Sequence, residues 1–184
     1  MKPLQAAAMG LVIVALNAKV NGYDLLADPL GWLLVLHGVR LLPAEVPRRD
    51  TIHAIGIVAA LVSVALWFPA FTDALSDTDD SLVWAATLPQ IAFVALLCAE
   101  LAAHAGEAGD AKAARWLRVA RTLTIAVGVL PIVVYPIESD LLVPLILVAV
   151  VTIVLVIVLL FSYSSRPWAL HEEPAGNGDR GRSS

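Results

Sequence analysis

The chain has 184 residues, 59% of them hydrophobic and only 15% charged, with a mean hydropathy of +0.82. Soluble domains carry about 45–50% apolar and about 25% charged residues, so a water-soluble globule of this size has too little interior for the excess. The net charge of −4, with no basic stripe interleaved with aromatics, argues against nucleic acid as a partner.

A helix crossing the roughly 30 Å hydrocarbon core needs about 20 apolar residues at about 1.5 Å each. The first apolar run begins after Lys2 and continues to about Val20. A signal peptide is the rival explanation, but Leu16-Asn17-Ala18 lacks a small residue at the first cleavage position. A polar stretch follows, with Asn17, Lys19, Asn21, Gly22, Asp24 and Asp28. Asn-Gly marks a turn. Asp28-Pro29 supplies an N-cap and a first-position proline, so a second segment returns over about residues 25–42.

Four longer spans are expected over about 51–71, 82–103, 119–137 and 141–163, apolar on every face and interrupted by Pro89, Pro131 and Pro144. The predicted fold is therefore all-α: a polytopic transmembrane bundle over residues 1–163, with spans at about 4–20, 25–42 and the four above. A disordered cytoplasmic tail is expected over 164–184, where Pro167, Pro174 and three glycines lie. Residues 111–121 read as a short basic helix lying along the headgroups.

Six spans with both termini inside place 11 of the 12 basic residues on the cytoplasmic side and only Lys19 outside. Counting the first hairpin as one span breaks that bias. Tryptophans follow the same map: Trp67 and Trp84 near the outer boundary, Trp116 and Trp168 near the inner one, Trp32 somewhat deeper.

The candidate polar or ion site is Asn17, Lys19, Asp24 and Asp28. On a continuous helix Asp24 and Asp28 share a face, where Lys19, a bound cation or a shared proton would relieve their repulsion. An ordinary loop, with Asp28 capping and Lys19 snorkelling, accounts for the same residues. Secondary candidates are His37, Glu100 and His104: His37 for an interhelical hydrogen bond or proton relay, and Glu100 with His104 at i+4 as an acid–base pair or as simple interfacial neighbours. Gln90, after Pro89, is suited to packing or to a carbonyl freed by the proline. Ala6/Gly10 and Gly56/Ala60 offer close helix contacts.

No H-E-x-x-H, G-x-S-x-G, C-x-x-C or phosphate-cradling loop occurs, and the lone Cys98 excludes an internal disulfide. No catalytic residues, metal site or cofactor are expected. The D-L-L-A-D-P-L-G-W stretch at Asp24–Trp32, preceded by Asn17, resembles small uncharacterised bacterial membrane proteins of actinobacterial type. The resemblance covers the first hairpin. It implies a multi-pass protein of the bacterial cytoplasmic membrane and brings no activity with it.

Two roles stay open. One is a structural or accessory component whose partners are the bilayer and a membrane protein or a second copy. The other is a small-solute or cation transporter or channel using the outer Asp pair.

Overall fold

The computed structural model describes residues 2–16, 19–20, 23–24, 28–66, 68, 80–134 and 142–170. Six α-helices occur among them: α1 (Pro3–Ala15), α2 (Asp28–Arg40), α3 (Arg49–Leu66), α4 (Asp80–Glu107), α5 (Ala111–Val134) and α6 (Leu142–Tyr163). The only other regular pieces among the described residues are a two-residue antiparallel ladder, Lys19–Val20 with Tyr23–Asp24, and a 3₁₀ turn at Pro167–Ala169.

Each helix packs on the next in sequence, and α6 closes the ring against α1. Alternating direction follows from the contacts. The start of α1 meets the end of α2 where Pro3 and Ala7 lie against Gly38. Arg48, just before α3, reaches Glu100 near the end of α4, and the Trp84 indole near the start of α4 donates to the Gly128 carbonyl late in α5.

Closest approach is between α1 and α2. A Cβ at Gly10 would lie 2.5 Å from the Gly31 carbonyl oxygen, and one at Gly38 would lie 2.6 Å from the Ala7 nitrogen. Small residues let backbones meet where lipid offers no hydrophobic drive for association. Gly10 was singled out by its spacing from Ala6; Gly31 and Gly38 complete the seam from the other helix. Across the ring, Trp32 of α2 sits edge-on to Phe93 of α4 with centroids 5.2 Å apart, and both are buried. Gly56 of α3 leaves the room that Phe93 and Leu36 fill.

The outside of this ring is as apolar as its inside. Val143 is 74% exposed, and Ile146, Leu147, Val151, Val154 and Val158 of α6 are also exposed, as are Val58 and Leu61 of α3. A monomer in water rarely shows contiguous apolar patches beyond a few hundred Å². Three helices are long and apolar enough to cross a membrane: Arg49–Leu66, Trp84–Glu107 and Val143–Tyr163.

Several expectations shift. At 13 residues each, α1 and α2 reach about 20 Å, short of the expected segments 4–20 and 25–42 and of a full crossing. The basic segment 111–121 is not a separate surface helix. Nothing between Arg118 and Val119 breaks the hydrogen-bond ladder, so it forms the first half of α5. Pro89 and Pro131 lie inside α4 and α5, whereas Pro144 falls in the first turn of α6, where an amide proton has no helical acceptor to lose.

Candidate functional site

The polar groups whose geometry is defined converge on one end of the bundle. Helix α4 ends at Gly109, whose φ of +81° suits a residue without Cβ, while the Asp110 amide reaches back 2.8 Å to the Ala105 carbonyl. That six-to-one bond closes the last turn of α4. Asp110 then opens α5. Its Oδ1 accepts the Ala113 amide at 3.1 Å, a standard N-cap that satisfies one orphan donor.

The second oxygen of the same carboxylate faces the chain beyond α6. Oδ2 accepts the Trp168 indole N–H at 3.3 Å and lies 3.7 Å from the Arg166 guanidinium. The Ala113 amide lowers the Asp110 pKa most; Trp168, Arg166 and Lys112 lower it further, against a smaller opposing cost of desolvation. His104 completes the clamp, its Nε2 donating to the Trp168 carbonyl at 3.0 Å. This bond selects the Nε2–H tautomer of a neutral ring. Nδ1 is then buried without a partner among the described residues. The Trp168 ring stands edge-on to His104 and tilted against Tyr163.

The disordered tail expected over 164–184 therefore does not begin at 164. Residues 164–170 are held under the bundle, with Trp168 and Ala169 buried, because Trp168 has both a polar handle and an apolar seat. Residues 171–184 lie outside the described residues.

Beside this clamp is an ion pair. The Glu100 side chain is 7% exposed and its Oε1 lies 3.4 Å from Nε of Arg48, which is 68% exposed. Arg48 holds a left-handed backbone, φ +49°, that non-glycine side chains rarely adopt. Arg49, next to it, donates to the Leu42 carbonyl at 3.1 Å and ties the α2–α3 connection shut. Glu100 and His104 thus do not face each other as an acid–base pair. One turn apart on α4, they are claimed by different elements: Glu100 by the α3 entry, His104 by the chain beyond α6. His37 is exposed on the last turn of α2, and no hydrogen bond joins it to a neighbouring helix among the described residues.

Of the outer group, Asn17 lies outside the described residues. Lys19 stands opposite Asp24 in the two-residue ladder, and Asp28 is the first residue of α2. Asp24 and Asp28 consequently do not share a continuous helix. Among the described residues no group of three or more His, Cys, Asp or Glu side chains is placed to hold a metal ion.

Within the ring lies a cavity of about 310 Å³ between α1, α4, α5 and α6, floored by Trp32. Its polar residues are Trp32, Gln90, Thr124 and Thr152. Gln90 lines this space and makes no hydrogen bond to a carbonyl freed by Pro89. Residue spacing could have suggested Asp110, since Gly-Asp before a basic helix is a stop-and-cap signature. Nothing in the local sequence pairs Arg48 with Glu100 or brings Trp32 beside Gln90.

No protein-family model matches the chain, and no match is found among curated proteins or solved structures.

Proposed function

We propose that the chain is a multi-pass protein of the bacterial cytoplasmic membrane, six segments deep with both termini inside, acting as a structural or accessory component that packs against a membrane partner or a second copy. The observation carrying this is the pairing of an apolar exterior with a polar, cation-rich end. Lys2, Arg40, Arg48, Arg49, Lys112, Arg115 and Arg166 collect where α1, α3 and α5 begin and α2, α4 and α6 end. Cationic side chains near short loops resist translocation, so this end stays in the cytoplasm. The short α1–α2 hairpin spans with the others by local thinning of the bilayer around it.

The polar end is cross-linked rather than open: Asp110 joins three segments and Arg48 closes over Glu100. That arrangement suits a rigid scaffold. Single-cysteine labelling at residues 22, 46, 77, 109, 139 and 175, with Cys98→Ser, tests the topology. In intact cells an impermeant maleimide should reach 22, 77 and 139 only. Labelling of 46 or 109 from outside would sink it. For the role, in-cell crosslinking should return a discrete complex, and a chain that crosslinks to nothing speaks against a scaffold.

The central cavity favours a second role, passage of a small solute. Proteoliposome flux that is the same with and without Asp24→Asn and Asp28→Asn would remove the outer Asp pair from that role.

A further inference from the structure

The unused polar atom in the middle of the bundle is the indole N–H of Trp32. The residue is 1% exposed, and Nε1 has no hydrogen-bond partner among the described residues. Burying such a donor unpaired costs on the order of 1–3 kcal/mol, and native structures seldom leave one so without a function or an occupant. Trp32 also lines the cavity of about 310 Å³, the lower end of the range for small-molecule sites. Gln90 lines the same space. Thr124 and Thr152 do too, but their hydroxyl protons are spent on their own helices, on the Ala120 carbonyl at 2.8 Å and the Val148 carbonyl at 2.7 Å.

From these residues we infer that the cavity is a binding site for a neutral lipophile whose carbonyl oxygen accepts the Trp32 N–H. Neutrality follows from the lining, which contains no ionisable side chain. A charged ligand would be desolvated without a counter-ion. The apolar body follows from the walls, otherwise Leu, Val, Ile and Ala, against which water finds few partners; the space would hold roughly ten waters by liquid volume. The carbonyl follows from chemistry: Trp32 is a donor only, and the Gln90 amide offers a second donor. Val150, half exposed on α6, lines the cavity as well, so the route in is from the bilayer side.

Two sources share this chemistry: an ester-bearing acyl chain of the surrounding phospholipid, and a free lipophile dissolved in the membrane. The inference rests on the membrane reading but not on the scaffold role, and it is measured without reference to topology.

The test uses the full chain in nanodiscs and in delipidated detergent micelles, with radiolabelled menadione as a neutral carbonyl-bearing probe. Menadione retained by empty nanodiscs or protein-free micelles is subtracted. Saturable excess binding is expected. Trp32→Phe keeps the ring and removes the donor, and should weaken binding about fivefold, the worth of one ordinary hydrogen bond. Ala149→Phe fills the space and should abolish saturable binding. Because it may also disturb folding, helical content is checked by circular dichroism, and the isosteric Trp32→Phe stands as the independent arm. Saturable binding in both preparations assigns the site to a free lipophile. Binding only after delipidation, with a phospholipid retained in native mass spectra before it, assigns the site to a bilayer lipid. No saturable excess in either preparation, or an affinity unchanged by Trp32→Phe, overturns the inference.

Discussion

Replacing Arg48 by alanine strips the counter-ion from a carboxylate that the bundle has nearly closed over. Glu100 is 7% exposed, and its printed partner is Arg48 at 3.4 Å. Breaking a fully buried pair costs about 3–5 kcal/mol because the remaining charge stays desolvated, whereas exposed pairs contribute about 0–1 kcal/mol. Arg48 is largely in water, so the pair falls between these limits. Arg48→Ala should cost about 1–3 kcal/mol.

Glu100→Gln acts from the other side. It removes the buried charge and returns Arg48 to solvent, at a cost of about 0–1 kcal/mol. Arg48→Ala/Glu100→Gln should therefore be more stable than Arg48→Ala alone. Backbone strain adds a second comparison. At φ +49° glycine is relaxed and alanine is not, so Arg48→Gly should exceed Arg48→Ala by about 1 kcal/mol.

Cys98 provides the assay. It is the chain's one cysteine, fully buried and two residues from Glu100, so a thiol-reactive fluorogenic dye reports opening of this part of α4. Thermal scans in detergent should put the Arg48→Ala midpoint roughly 5 °C below wild type. If Glu100→Gln proves as damaging as Arg48→Ala, the carboxylate is not held there by its partner and the reasoning fails.

Gly38→Ala would press a Cβ to 2.6 Å from the Ala7 nitrogen and 2.7 Å from the Pro3 carbonyl oxygen, backbone atoms that cannot swing aside. The same dye assay should show a loss of about 1–3 kcal/mol, and a neutral result would mean that α1 and α2 are not packed backbone to backbone. The Asp110 carboxyl is held below its ordinary range, so its ion pair and hydrogen bonds are fully present above the ordinary carboxylate pKa and are lost as pH falls through the lowered one. Hydrogen exchange at residues 164–170 should thus stay slow at neutral pH and rise only below about pH 4; release near pH 6 would contradict the assignment. Trp168→Ala should release the same segment to protease at neutral pH while helical content is unchanged, since the clamp lies beyond α6.

Much of the fold was legible in local pattern. Apolar runs longer than a hydrocarbon core, as in 141–163, leave a helix little alternative in lipid, because every backbone group must be satisfied within the segment. Asp28-Pro29 foretold the start of α2, and the structure begins that helix at Asp28. Less was visible in the polar residues. Glu100 and His104 looked like partners because i and i+4 share a helix face, yet each found a partner elsewhere. The tail looked disordered from composition alone, and Trp168 shows why that fails: one aromatic with a seat and an acceptor is enough to hold a short segment.

What this sequence determined alone is its solvent. Hydropathy and the uneven placement of Lys and Arg follow from transfer free energies, which act residue by residue and need no partner. What the tertiary structure decided is which residues meet. The order of six helices around a ring, the Gly10–Gly31 approach, the claim of Arg48 on Glu100 and the space beneath Trp32 depend on packing between segments far apart in the chain. A helix face specifies what it can bury, but its neighbour is chosen by shape across the whole bundle.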